Sequence, residues 1–272
     1  ISGNGEMEDC TWGAPWLELS DPITKVVITK GVTSVGAGAF YCCTGLKTVV
    51  LPEGIKTIDD YAFLNCTALE SVTFPGSLKS IGFCAFLDCN SLKSITIPSG
   101  VTEIGSGAFA YCTGLESINA AAGNGTYSSV NGVLFNKDKT ELIAYPAGKT
   151  DAAYAIPSGV ITIEESAFIA GKFKSVTIPG SVKLIGYGAF TECEKLESVT
   201  IPNSVTNVAD YAFSQCTALT TATMPNSVSK ISYGTFYDCT SLKSVTIPVS
   251  VKSIDHKAFS MCTKLASVNY RG

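Results

Sequence analysis

Eleven cysteines, one histidine and a few adjacent carboxylates are the residues of this chain that could do chemistry. Cys43, Cys66, Cys89, Cys112, Cys193, Cys216, Cys239 and Cys262 each follow a phenylalanine by three residues. If these are equivalent positions of a repeat, their side chains point the same way, one repeat apart. A disulfide instead needs Cβ atoms roughly 3.5–4.5 Å apart on converging vectors. The eight therefore read as buried, reduced thiols that act as small apolar side chains. Zinc is disfavoured, because there is no Cys-x-x-Cys pair and no histidine nearby. Cys10, Cys42 and Cys84 fall outside the series, and a vicinal Cys42–Cys43 disulfide would be strained.

His256 stands three residues before Phe259, where equivalent positions hold Ala37, Asp60, Phe83, Ser106, Glu165, Tyr187, Asp210 and Tyr233. Such variety marks a side chain that packing does not fix. With Asp255 as orienter, His256 has the chemistry of a general base, but it reads as an exposed loop residue. Without it no Ser-His-Asp or Cys-His system can be assembled. The pairs Asp59–Asp60 and Glu164–Glu165 occupy the same loop and read as solvated caps. Neither Gly-x-x-x-x-Gly-Lys nor Gly-x-Gly-x-x-Gly occurs. No catalytic residue, metal ligand or cofactor is assigned, and the chain is expected not to be an enzyme.

The elements that position these residues come from one repeat. Phe40, Phe63, Phe86 and Phe109 lie 23 residues apart. Phe168 and Phe190 follow after an interruption at a spacing of 22, and Phe213, Phe236 and Phe259 return to 23. The unit is V-x-x-I-G-x-x-A-F-x-x-C-x-x-L-x-S-V-x-I-P, and nine copies exclude chance. In Leu92-Lys93-Ser94-Ile95-Thr96-Ile97-Pro98 apolar and polar residues alternate, which predicts a short strand with one buried face, closed by proline. Ala-Phe-x-x-Cys-x-x-Leu has apolar residues at three-residue spacing, which predicts one α or 3₁₀ turn. A unit this short has no private core and must bury its apolar residues against the copies on either side. The expected fold is a right-handed repeat solenoid, with a parallel β-sheet on one side and short helical turns opposite. Up to eleven parallel strands would give a sheet on the order of 50 Å long at about 4.8 Å per strand.

The stretch Leu-x-x-Val-x-Ile resembles the strand signature of leucine-rich repeats, and the full unit resembles the BspA-like, treponemal-type class of that superfamily. The resemblance covers nearly the whole chain. One position departs from the general superfamily pattern: proline replaces the usual asparagine after the strand, so an asparagine ladder is absent and cysteine is expected to fill part of its role. Residues 1–30 resemble an N-terminal capping region with a first strand at Ile23-Thr24-Lys25-Val26-Val27-Ile28; it begins mid-element, as if an upstream strand were missing. Repeats follow at 31–118 and 156–272. Between them, residues 119–155 read as an inserted β-hairpin, with Val130-Asn131-Gly132-Val133-Leu134-Phe135 and Leu142-Ile143-Ala144-Tyr145-Pro146 around the polar turn Asn136-Lys137-Asp138-Lys139. The chain stops straight after a strand, at Asn269-Tyr270-Arg271-Gly272, an end expected to fray or to pair with another molecule.

Composition narrows the partners. Of 272 residues 46% are hydrophobic, so a core can form, and 15% are charged, against about 25% in an average soluble domain. A net charge of −4 disfavours nucleic acid and anionic membranes, and no apolar run is long enough to insert in a bilayer. Two outward rows are expected on the concave strand face. One holds Ser94, Ser198 and Ser244, the other Thr96, Thr200 and Thr246. They are candidate contacts, although they lack the Trp, Tyr and Arg that dominate binding hot spots. Aromatic residues collect instead on the loop beside the phenylalanine, where Tyr187, Tyr211, Tyr233 and Tyr237 make a candidate ligand-binding row. The family resemblance implies a secreted or cell-surface bacterial module for adhesion or protein–protein interaction; its partner would be a protein or a glycan, and a monomer is favoured. The alternatives are a structural display spacer and a carbohydrate-binding module built on the tyrosine row.

Overall fold

The computed structural model describes residues 1–10, 14–16 and 22–271. The rest of the cap segment and the terminal Gly272 lie outside the described residues. The chain forms two compact units, residues 1–137 with 146–148, and residues 138–145 with 149–272. Each is a β-solenoid of stacked coils about 23 residues long, and together they hold eleven repeat-type strands among the described residues.

One coil of the second unit shows how the sequence is used. In Ser198–Thr200 the two hydroxyl residues are exposed and Val199 between them is buried, as alternation requires. Pro202 ends this strand and starts a tight turn, its carbonyl accepting the Val205 N–H at 3.0 Å. A second strand that the repeat pattern does not announce, Asn207–Val208, pairs in parallel with Leu184–Ile185. Then comes the segment with Ala212, Phe213 and Cys216, and Leu219 leads into the next strand, Thr221–Thr223. The first unit repeats this plan, with a four-stranded ladder of the short strands Ser34–Val35, Thr57–Ile58, Ser80–Ile81 and Glu103–Ile104.

The expected helical turn is replaced by something tighter, and no helix occurs among the described residues. In all nine repeats the residues two before and two after the phenylalanine have φ between 51° and 64°. A helical turn would send every N–H back along its own coil. Alternating right- and left-handed residues instead send every second N–H to the next coil. Gly38, Phe40 and Cys42 donate to the carbonyls of Asp60, Ala62 and Leu64 at 2.8–2.9 Å, whereas Ala39, Tyr41 and Cys43 donate three residues back. Left-handed geometry costs on the order of 1 kcal/mol for a residue with a Cβ, and fourteen of these eighteen positions are not glycine. The bonds between coils, three per turn, offset that cost.

The core is a column of rings. Phe40, Phe63, Phe86 and Phe109 stack at 5.1–5.8 Å with interplanar angles of 11–18°, and Trp16 of the cap stacks on Phe40 at 5.4 Å while donating its indole N–H to the Ala39 carbonyl. In the second unit Phe168, Phe190, Phe213, Phe236 and Phe259 stack at 4.7–5.7 Å. Tyr145, from the segment that interrupts the repeats, packs on Phe168 at 5.2 Å. Within the interruption, Tyr127–Val130 and Val133–Asn136 form an antiparallel hairpin closed at Asn131–Gly132. Both turn residues have positive φ, as a two-residue hairpin turn requires, so a pair lying inside an apolar run in sequence makes the tight turn.

Beside the rings runs the cysteine ladder. All eleven cysteines are free thiols. Cys66, Cys89 and Cys112 donate Sγ–H to the carbonyls of Phe40, Phe63 and Phe86 one coil back at 3.0–3.3 Å. Cys193, Cys216, Cys239 and Cys262 repeat the bond to Phe168, Phe190, Phe213 and Phe236 at 3.0–3.2 Å. Burial pushes the Cys193 thiol up to about 12 and Cys66, Cys89 and Cys216 well above the ordinary thiol range, so the donors keep their protons.

Two outcomes follow from this core. Phe86 is sandwiched between two rings with Phe74 at its edge, so Phe86→Ala should cost about 3–5 kcal/mol in chemical denaturation; half-buried Phe259, stacked on Phe236, should cost less. An equal loss at both positions would contradict the stacked core. The thiols also set an alkaline limit. A folded-state pKa raised above the unfolded value, about 8.5, leaves stability intact below that pH and erodes it from there up to the folded value. For Cys193 the loss approaches about 1.4 kcal/mol per pH unit across that window. Urea midpoints should be flat from pH 6 to 8 and fall steeply by pH 10; a flat profile throughout would mean that the thiols ionise in the folded chain.

Candidate functional site

Two surfaces gather the residues singled out from sequence. On the strand face, parallel pairing brings equivalent residues into rows. Ser198 pairs with Thr221 and Thr221 with Ser244, while Thr200 pairs with Thr223 and Thr223 with Thr246. In the first unit Ser94 pairs with Ser117 and Thr96 with Asn119. Ser94, Thr96, Ser198 and Thr200 are exposed, and Ser244 and Thr246 are half-buried. The strands force this arrangement, since the residue between each pair is an aliphatic side chain or alanine facing the core.

The rows are not uniform. Where most coils carry a threonine, the first two strands carry Val27 and Val50, which are 43% and 42% exposed and paired in register. Next to Val50 opens a cleft of about 410 Å³ lined by residues including Leu51, Glu53, Thr73, Phe74 and Pro75. The one sequence signal for Val50 is its departure from the threonine that most coils carry at this position.

The aromatic residues form a column at the other side of the coil. Tyr187 meets Tyr211 edge to face at 5.7 Å, and Tyr211 meets Tyr233 in the same way at 5.2 Å. The Lys257 ammonium lies 5.9 Å from the Tyr233 ring centroid, a cation–π contact that extends the column by one coil. Tyr237 is not in this column: it lies one residue after Phe236, at the position held elsewhere by Tyr41, Leu64 and Leu87. Adjacent coils interlock here. Tyr211 lies against Gly234, where an added Cβ would come within 2.7 Å of the ring, and the Asp210 carboxylate accepts the Tyr233 N–H at 3.1 Å. The first unit uses the same device, with Asp60 accepting the Phe83 N–H at 2.7 Å and Tyr61 edge to face with Phe83 at 5.4 Å. A hydrogen bond to Tyr233 pushes the Tyr211 hydroxyl up to about 12, while the same bond and Lys257 hold Tyr233 below the usual phenol range. Tyr187 is 49% exposed and its neighbours are half-buried, so the column is partly a staple between coils.

Among the remaining titratable groups, five carboxylates share one cleft. His256 is exposed, and Asp255 is paired with Lys230. Asp59 and Asp60 line a cleft of about 640 Å³ near the N-terminus together with Glu6, Glu8 and Asp9. Burial and the neighbouring carboxylates of Asp9 and Asp60 raise Asp59; burial, Glu141 and Glu165 raise Glu164. Asp9 and Asp60 spend an oxygen each on capping an N–H, of Ala37 and Phe83. No three His, Cys, Asp or Glu side chains among the described residues converge as metal ligands.

A family model described as the BspA type leucine rich repeat region matches residues 18–138 and 153–271 in six copies. A leucine-rich repeat protein from Eubacterium ventriosum is 33% identical, with a TM-score of 0.89 over 99% of this chain and 79% of that one. A leucine rich cell surface protein from Faecalibacterium prausnitzii is 29% identical, with a TM-score of 0.75 over 98% of this chain and 83% of that one. The pneumococcal vaccine antigen PcpA, 22% identical with a TM-score of 0.59 over 92% of this chain and 79% of that one, shares the fold. No functionally curated protein matches the sequence. The chain belongs to the BspA-type leucine-rich repeat family.

Proposed function

We propose that this chain is a non-catalytic docking module of a bacterial cell surface and that its strand face takes a protein partner. The observation that carries this reading is the pair of outward rows, hydroxyl-bearing in most coils and interrupted at Val27 and Val50 beside the 410 Å³ cleft. Each serine or threonine there offers a donor and an acceptor, and the two valines offer an apolar anchor. The relative from Faecalibacterium prausnitzii, described as a cell surface protein and alignable with 98% of this chain, supports the location. The exposed His256 supports a non-catalytic role, since it is the single imidazole of the sequence and lies open to solvent.

The tyrosine column favours a second reading, a glycan site, because a row of partly exposed aromatic rings suits sugar faces. A third role, a spacer that displays another domain, needs no ligand at all. Binding of the purified chain to immobilised matrix glycoproteins and to a glycan array separates the three. Replacing Val27 and Val50 by Thr should weaken protein binding about tenfold without moving the melting temperature. Replacing Tyr187, Tyr211, Tyr233 and Tyr237 by Ser should lower the melting temperature and leave protein binding intact. Glycan binding lost in the serine variant at unchanged stability would favour the sugar site over the strand face, and no binding to either surface would favour the spacer.

A further inference from the structure

Seven wholly buried thiols of the cysteine ladder bear on where this chain can fold. Cys43, Cys66, Cys89, Cys112, Cys193, Cys216 and Cys239 are wholly buried, and only Cys10, Cys42 and Cys262 are partly accessible among the eleven. Thiol oxidation requires contact with solvent and a fraction of thiolate. The coils deny both to the ladder, because they exclude water and hold the sulfur protonated against a carbonyl. In the unfolded chain the same thiols are exposed and ionise near pH 8.5.

We propose that the cysteine ladder makes folding a redox-gated step: the native coils resist a thiol oxidant, whereas the unfolded chain is captured by it and cannot fold until it is reduced. With oxidised glutathione as the oxidant, a chain thiolate attacks one sulfur of the disulfide. The glutathione S–S bond breaks, a protein–glutathione mixed disulfide forms, and the second glutathione leaves as a thiolate that takes a proton from water. The capped sulfur has no hydrogen to give the phenylalanine carbonyl one coil back. Its adduct also has no room in a core packed at crystal-like density. Because each coil folds only against its neighbours, one cap among the seven buried ladder thiols interrupts propagation in both directions. Reductant reverses the exchange and restores the donor. A chain carried unfolded to its destination would then fold only where thiols stay reduced, whatever the module binds.

The experiment compares two orders of addition. Native protein incubated with oxidised glutathione at pH 8 should gain at most the three adducts of Cys10, Cys42 and Cys262 by intact mass, and its circular dichroism should not change. Protein first unfolded in urea, then treated and diluted, should gain many adducts and recover no native signal until dithiothreitol is added. The variant Cys10→Ser/Cys42→Ser should gain at most the Cys262 adduct in the native arm with unchanged circular dichroism, and should behave like the parent in the unfolded arm. Native-like signal in the heavily capped chain without reductant would overturn the proposal. So would loss of structure in the native arm, or a variant whose refolding no longer responds to the oxidant, since the effect would then belong to thiols outside the ladder.

Discussion

The carbonyl of the repeat phenylalanine is where the fold closes on itself, because it accepts two donors from two different coils. Phe63 shows the pattern: its oxygen accepts the Cys66 N–H at 3.2 Å from its own turn and the Cys89 Sγ–H at 3.3 Å from the next coil. Its own N–H goes forward to the Ala85 carbonyl at 2.8 Å. Backbone pairing, ring stacking and thiol donation thus all run along the stack. A single coil can satisfy neither its apolar surface nor its polar backbone, so stability is a nearest-neighbour property. That is also why the left-handed residues are tolerated: an α-turn would avoid their cost but would leave Ala85-type carbonyls without partners.

The same geometry decides which positions are free to carry function. The Phe, Cys, Leu and strand valine columns face inward and barely vary along the chain. The residue three before the phenylalanine is exposed or half-buried in every coil, and with the residue after it neighbouring coils are matched in pairs, Asp-Tyr followed by Tyr-Gly at 210–211 and 233–234, Asp-Tyr followed by Phe-Cys at 60–61 and 83–84. The carboxylate caps the next coil and the ring covers it, so this variation is partly structural. On the strand face Val27 and Val50 stand exposed where most coils carry threonine, in register with each other. An apolar pair left open on an otherwise hydroxyl-bearing face is a better pointer to a partner than a position that interlocks.

How much of this could be read beforehand depended on period. The 23-residue spacing of Phe40, Phe63 and Phe86 and the alternation in Ser94–Ile97 carry a strong signal, and the solenoid, its strand face and the buried thiols were legible from them. The second ladder was not, because two residues such as Thr57–Ile58 are too short to show alternation. The left-handed columns were hidden because Cys42, Asn65, Gln215 and Met261 occupy them instead of glycine; what fixes them is bonding to the next coil, which no local propensity reports. Tyr145 was hidden for the opposite reason, since it completes a ring column from outside the repeat. Of the candidate site, the hydroxyl rows were visible and the column of Tyr187, Tyr211 and Tyr233 was visible in part, while Lys257 was not, as a cation over a ring has no sequence spacing of its own.

The replacement of asparagine by proline after the strand explains why the ladder is made of thiols. An asparagine used as a staple must place several polar groups, as Asn124 does: its amide NH₂ donates to the Pro98 and Val101 carbonyls, and its oxygen accepts the N–H groups of Thr126 and Tyr127. In the regular coils proline stands at this position, and its carbonyl accepts the N–H three residues on, as Pro179 does from Val182 at 3.1 Å. What remains is the second lone pair of the phenylalanine carbonyl, inside an apolar core. Its first lone pair is taken by a backbone N–H, so a weak donor is enough, and a strong one would carry a desolvation cost it could not recover. Cysteine meets both conditions, with a small apolar body and one weak donor. The consequence is a core whose polar bookkeeping rests on a group that oxidation can remove, which ties the stacking that forms the outward surface to the redox state in which the chain folds.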